Sequence, residues 1–288
     1  MPALRIVPGS NTGHRQVPCL RSVFAGAAMI AMSAAAGKSG LLRLDASCCS
    51  LIELRQYTLH AGQRDVLIGL FDREFIETQE AVGIAVIGQF RDLDRPDRFV
   101  WLRGFRDVEM RGQALAAFYD GPVWHAHREA ANATMIDSDN VLLLEPGGPA
   151  RGFSALPDRP NNAIPGDSGP GLIVATLYYT QPDSLPVFTE VFERSMRKLF
   201  ERAGAQTVAE YVTSDQFNSF PRLPIRVGEH IFVWLARFAS ADAFDIYRTQ
   251  IAKDREWQRV VWPTARKSLV REPEVLRLAP TNRSRLHG

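Results

Sequence analysis

FVWLRGF, Phe99 to Phe105, returns as FVWLARF from Phe232 to Phe238. Superposing the two runs at an offset of 133 also brings Trp124 onto Trp257. A further shift of one residue aligns NVLLLEP (Asn140 to Pro146) with EVLRLAP (Glu274 to Pro280). Self-similarity over such a period marks a tandem repeat, here 51–146 and 171–280. Between them, residues 146–170 hold eleven Pro or Gly in 25 positions with no helical or strand period, so 147–170 reads as a linker. Residues 281–288 read as a tail.

Each half carries the same order of elements. In the first, LIELRQYTL alternates as a strand should, and Ala61-Gly62 opens a helix with Leu67, Leu70, Phe71 and Phe75 on one face. GIAVIGQF and RFVWLRGF are two strands joined by the polar turn DLDRPD. Val108 to about Met135 reads mainly helical, and NVLLL is a last strand. The second half repeats this with helices at Leu185 to Phe200 and Ala241 to about Leu269. The order β-α-β-β-α-β makes each half ferredoxin-like, in the α+β class. A four-stranded sheet with both helices on one side leaves its other face to be covered, and the second copy can cover it.

Composition narrows the function. The chain has 288 residues, 45% apolar and 23% charged, which suits a globular protein with a sizeable core. Its net charge of +2 comes from 34 basic and 32 acidic residues, interspersed and without an aromatic-basic motif, so no nucleic-acid partner is expected. Cys19, Cys48 and Cys49 are the only cysteines, which leaves residues 51–288 to oxygen and imidazole chemistry. Residues 1–50 stand apart: they are basic with no acid before Asp45, and Val23 to Ala36 is an apolar run too short to span a bilayer. That extension fits a disordered or misassigned start, a secretory signal or an organellar leader. A cytoplasmic protein is the expectation, with export or an organelle as the alternative if residues 1–45 are a targeting segment. No integral membrane span is expected.

Motifs for familiar chemistries are missing. His125 and His127 in WHAHR are two apart, and a helical zinc pair needs i,i+4 spacing, so no metal site is expected. Trp124 and Arg128 have the spacing of a cation-π pair, and His127 that of a partner for a loop carbonyl. Asp137 and Asp139 suit a turn before the last strand rather than calcium. No nucleophile elbow, phosphate loop or dinucleotide fingerprint follows a strand, and no cofactor is expected.

Three stretches, ELRQYTLHAG (Glu53 to Gly62), GQFRDLDRPDRFVWLRGF (Gly88 to Phe105) and FYDGPVWHAHREAANATMIDSDNVLLL (Phe118 to Leu144), resemble the NIPSNAP family of dimeric α+β barrel proteins. The resemblance is strong over 51–146 and weak over 171–280. It implies two ferredoxin-like units with their sheets face to face as a barrel, here a pseudo-dimer within one chain. The second FVWL would then supply the sheet that a single-domain relative obtains from another subunit.

Within such a barrel, alternation sorts the strand residues. Val100, Leu102, Ile52 and Leu54 are purely apolar and suit the helix side. Glu53, Arg55, Tyr57, Trp101 and Arg103 would then face the barrel interior, as a candidate binding site for a small anionic or aromatic molecule. The same residues also suit a buried ion-pair network. In the second repeat their counterparts read as Ala175, Leu177, Tyr179 and Ala236, so the polar set occurs once. Two functions stay open. One is a small-molecule binder or cofactor-independent enzyme, since related barrels include monooxygenases and isomerases. The other is a non-catalytic interaction or scaffold module, the chain itself being compatible with a homodimer.

Overall fold

The computed structural model describes residues 49–153, 155–160 and 168–288. Almost all of the 1–50 extension, including the possible targeting segment, lies outside the described residues. The described residues form one compact unit. No helix among the described residues is long and apolar enough to cross a membrane.

Eight strands alternate with helices in two matching sets. The first repeat runs β1 (Leu51–Leu59), α1 (Arg64–Leu70), α2 (Ile76–Ala81), β2 (Ala85–Asp92), β3 (Arg98–Phe105), α3 (Val108–Tyr119), α4 (Pro122–Asn132) and β4 (Met135–Pro146). The second runs β5 (Leu172–Tyr179), α5 (Leu185–Val191), α6 (Arg197–Arg202), β6 (Gln206–Thr213), β7 (Ile231–Phe238), α7 (Ala241–Lys253), α8 (Trp262–Arg266) and β8 (Glu274–Pro280). Wide π turns at Phe71–Phe75 and Phe192–Met196 interrupt the first helix of each repeat at the same place, and a third, Trp257–Val261, precedes α8.

Local chemistry sets the boundaries. Gly62 adopts a φ of +74°, a left-handed turn that lets β1 reverse into α1. Asp107 caps α3 by accepting from the Met110 amide at 2.7 Å, and Ser240, 133 residues on, caps α7 by accepting from Ala243 at 3.1 Å. The long helix expected from Val108 is broken at Asp120-Gly121, where Pro122 starts α4 at a position that needs no amide donor. β4 begins at Met135, five residues before the NVLLL run. The Asp139 amide donates to Asp137 Oδ1 (2.9 Å), an Asx turn that accompanies a bulge against β1.

All pairings are antiparallel, and the order is a closed barrel, β1-β3-β2-β8-β5-β7-β6-β4. Each repeat contributes four adjacent strands in the ferredoxin-like order, its first and third strands central. The repeats join edge to edge. Phe90, Arg91 and Asp92 of β2 pair with Pro280, Ala279 and Leu278 of β8. Leu144, Glu145 and Pro146 of β4 pair with Thr213, Val212 and Tyr211 of β6. The inner faces of both sheets thus share one core: Ile52, Leu54, Val100 and Leu102 from one repeat meet Ile173, Leu177, Val233 and Leu235 from the other.

The connecting and terminal segments close over this core. Phe153 and Leu156 pack against it, and so does Leu286. Arg159 binds Glu80 Oε1 at 2.7 Å and the Val86 carbonyl at 2.8 Å, while Arg283 pairs with Glu77.

Separating the repeats would expose four strand edges, those of β2, β8, β4 and β6, and the whole shared core. A protease site introduced within 161–167 and then cut should therefore leave two fragments that co-elute by size exclusion in native buffer. They should part only in denaturant; two folded, separate halves would contradict the closed barrel.

Candidate functional site

The five residues singled out in the sequence do come together, but on the opposite face of the sheet from the one expected. Val100, Leu102, Ile52 and Leu54 point into the barrel. Glu53, Arg55, Tyr57, Trp101 and Arg103 lie outside it, beneath the helices, where Trp101 meets Phe71 with ring centroids 4.8 Å apart. The physical reason is width: an eight-stranded barrel leaves room for packed aliphatic side chains and little water. The long guanidiniums of Arg55 and Arg103 find both length and aromatic faces between sheet and helix.

There the cluster is dense and sealed. Cross-strand register places Glu53 opposite Arg103 and Arg55 opposite Trp101. The Glu53 Oε2 atom accepts from Arg55 Nη1 at 2.5 Å and from Arg103 Nε at 2.7 Å. Its Oε1 atom accepts from Arg111 Nε at 2.6 Å. Arg111 was not anticipated, although its spacing was a signal, for it holds a position in the buried stripe Val108, Arg111, Leu115 and Phe118 of α3. It also donates to Asn218 Oδ1 at 3.0 Å, tying a loop of the second repeat to the first. Arg55 donates to the Tyr57 hydroxyl at 3.0 Å. Glu53, Arg103 and Arg111 are wholly buried. Three cations around one carboxylate leave an excess of positive charge. The aromatic faces absorb part of it, with Arg103 5.1 Å from the Trp101 ring and 5.6 Å from Phe105, and Arg55 5.4 Å from Tyr57. Burial pushes the Glu53 carboxyl upward, but Arg103, Arg55 and Arg111 together outweigh it and hold it far below the usual carboxylate range.

The space beside this cluster is small. The void lined by Tyr57, Phe71, Gln79, Trp101, Tyr119 and Trp124 measures about 30 Å³, room for a water or two. Trp124 packs on Phe75, Phe118 and Tyr119 rather than under Arg128, and His127 faces Glu74 at 3.4 Å rather than a carbonyl. Repeat one has the residues of the expected site without the room for a ligand.

The room is in repeat two, at the same position beneath the helices. β5 pairs with β7 so that Val174 faces Ala236, Thr176 faces Trp234 and Tyr178 faces Phe232. The counterparts of Glu53, Arg55 and Tyr57 are therefore Val174, Thr176 and Tyr178, one residue earlier than alignment by eye gives. Ala175, Leu177 and Tyr179 belong to the barrel core instead. At the offset of 133, Arg103 becomes Ala236, Arg111 becomes Phe244 and Tyr119 becomes Ala252. With the guanidiniums and Tyr119 replaced by shorter side chains, a cavity of about 670 Å³ opens between β5, β7 and α7. Its walls are Phe200, Trp234, Phe244, Tyr247, Trp257 and Trp262. Trp257 and Trp262 stack at 5.4 Å, and Phe200 tilts against Trp234 at 4.8 Å. Thr176 and Tyr178 form the floor from β5, and the charged lining residues, Asp245, Arg248 and Glu272, are all exposed. This cavity had no clear sequence signal, because its aromatic residues recur at the spacings that build an ordinary core.

Fold and geometry together define an α+β barrel built of two ferredoxin-like repeats in one chain, with one helix-covered face filled by ions and the other hollow. Residues 175–285 match the model of the NIPSNAP family, so the family resemblance is shown on the half where sequence similarity was the fainter. No curated protein matches the chain. Among solved structures, an anthrone oxidase-like protein aligns with a TM-score of 0.51 at 12% identity, over 84% of this chain and 98% of its own. A NIPSNAP family protein from Agrobacterium tumefaciens str. C58 aligns over 36% of this chain and 90% of its own, at 14% identity and a TM-score of 0.29. An uncharacterized NIPSNAP domain protein from Burkholderia xenovorans gives the same identity, score and coverage of this chain, with 91% of its own.

Glu53 is the single anion of its cluster, so its loss strands three buried guanidiniums. Glu53→Gln should cost about 3 to 5 kcal/mol, the range for breaking a buried ion pair, whereas Arg103→Met, which leaves Glu53 two partners, should cost less. The double variant should be less damaging than the sum. Because folding depresses the Glu53 pKa, its contribution is fully present above the unfolded value near ~4.3 and fades as pH falls below it. Urea melts from pH 7 to pH 2.5 should show an acid-labile component in the parent protein that is missing in Glu53→Gln.

Proposed function

We propose that this protein binds a flat, predominantly apolar small molecule in the cavity of its second repeat. The observation that carries this reading is the pairing of a volume of about 670 Å³ with walls of stacked aromatic rings and no charged group at its floor. Volumes of ~300 to 1,000 Å³ lined by aromatic residues with a few convergent polar groups are typical of ligand sites. The repeat-one cluster lends support by contrast, since equivalent positions there are filled to the size of a water. A catalytic step is not part of this reading, because no acid-base or nucleophilic group at the cavity has the partners that such a role needs.

An interaction module without a ligand is the second reading. It draws on exposed apolar residues of the same half, Ile246, Val260 and Val270, each more than half exposed. Native mass spectrometry of the purified protein separates the two: a co-purifying small molecule supports the first, a second polypeptide without one the second. The same spectrum reports a homodimer.

A direct test fills the cavity from its floor. Thr176→Phe adds a ring where Thr176 is buried against open volume. Binding of the neutral fluorophore N-phenyl-1-naphthylamine should weaken at least about tenfold, roughly 1.4 kcal/mol, with the thermal melt nearly unchanged. Equal binding by parent and variant, or none by the parent, would count against the cavity.

A further inference from the structure

Two phenol hydroxyls of the cavity make no hydrogen bond among the described residues. Tyr178 on β5 and Tyr247 on α7 line the space from different elements, and both are buried, at 4% and 7% exposure. Their rings are well packed: Tyr178 lies 4.8 Å from Phe188, and Tyr247 lies 5.1 Å from Phe238 and stacks on Phe244 at 5.8 Å. Their hydroxyls are different. The remaining buried tyrosines of the second repeat use theirs: Tyr211 accepts from the Phe153 amide at 3.2 Å and Tyr179 donates to Glu274 at 2.8 Å. Neither Tyr178 nor Tyr247 makes a hydrogen bond through its hydroxyl among the described residues, and neither hydroxyl is among the atoms sealed from solvent without a partner. The third polar group of the floor, Thr176, is also unbonded, whereas the indole of Trp234 donates to Thr207 Oγ1 at 3.2 Å and is satisfied.

A phenol set in an aromatic wall with its hydroxyl open to a cavity can both hold water and meet a ligand atom. Burial pushes the Tyr178 and Tyr247 hydroxyls well above the ordinary tyrosine range, and Tyr178 pushes Tyr247 further. At neutral pH both are protonated and present O–H groups. Among the described residues no cation reaches the floor, and Arg248, the one cation lining the cavity, is exposed and shares that lining with Asp245, 3.9 Å away, and Glu272. Two acids against one base discourage a carboxylate or phosphate at the mouth, and a floor without a counter-charge discourages one within.

Resting on the cavity reading above, we propose that Tyr178 and Tyr247 are paired hydrogen-bond donors to a ligand carbonyl, and that the ligand class is a neutral, flat ring ketone or quinone. The aromatic walls take its ring faces and the phenols take its oxygen. An uncharged donor pair selects a carbonyl over the bare hydrocarbon by the strength of neutral hydrogen bonds, and selects against an anion, which would lose its hydration without gaining a counter-charge.

Three probes on one skeleton test this: fluorene, 9-fluorenone and fluorene-2-carboxylate, titrated into the whole protein by calorimetry or by quenching of tryptophan fluorescence. The expected order is fluorenone tightest, fluorene about five- to tenfold weaker, and the carboxylate weakest. Tyr178→Phe and Tyr247→Phe should each remove most of the ketone's advantage while leaving fluorene affinity within about twofold, which a general disturbance of packing would not do. If fluorene and fluorenone bind equally, or the Phe variants keep the ketone preference, the donor assignment is wrong and the apolar cavity stands. If the carboxylate binds best, the ligand class is wrong. If none of the three binds the parent protein, the cavity reading fails with it.

Discussion

Closure of the sheet is the constraint on which the rest depends. Two short edge pairings, β2 with β8 and β4 with β6, turn two open four-stranded sheets into one ring of eight strands. A ring of that size has an interior only as wide as its side chains, and every residue facing inward competes for the same dry volume. Aliphatic residues win that competition: Val100 and Leu102 meet Val233 and Leu235 across it. The buried ion cluster of repeat one and the aromatic cavity of repeat two both lie instead on the outer face of their sheet, under the helices, and there the repeats differ most.

On that face the two repeats make opposite use of one geometry. Glu53, Arg55, Arg103 and Arg111 occupy repeat one, and Val174, Thr176, Ala236 and Phe244 stand in their places. Buried ions need partners on every side, and Glu53 reaches them by accepting from two strands and a helix at once. Such a network fixes the orientation of α3 on the sheet more narrowly than apolar packing does, because a displaced guanidinium loses a charge partner as well as contacts. Arg111 extends the same network to Asn218, so the order in repeat one also positions a loop of repeat two.

Much of this was legible in the sequence and the remainder was hidden for identifiable reasons. The doubled FVWL run, the strand alternation and the resemblance in repeat one led to the barrel and to its internal symmetry. The same alternation placed Glu53, Arg55, Tyr57, Trp101 and Arg103 on one face together, as found, because period two is a property of the strand alone. Which face looks inward is not a local property. It depends on what lies across the barrel, and the rule that polar and aromatic residues seek a pocket assigned it the wrong way round. Arg111 was hidden among apolar helical neighbours. The one-residue slip in β5 followed from matching residues by type, Tyr57 to Tyr179, where strand pairing matches Tyr57 to Tyr178.

The hollow in repeat two follows from duplication within one chain. Two copies that share edges and a core must keep those edges and inner faces complementary, but nothing obliges their outer faces to match. Repeat one keeps its outer face solid and ionic. Repeat two, secured by the shared core, has replaced Tyr119 by Ala252 and Arg55 by Thr176 and left aromatic rings facing open space. Side chains that border a void forgo dispersion contacts that a filled interior would supply, and phenols that border it forgo hydrogen bonds. In repeat two that loss falls on Trp234, Tyr247, Trp257 and Trp262. An occupant with matching flat faces would return both kinds of contact at once, which is the physical argument for proposing a ligand site in the second repeat rather than in the charged first.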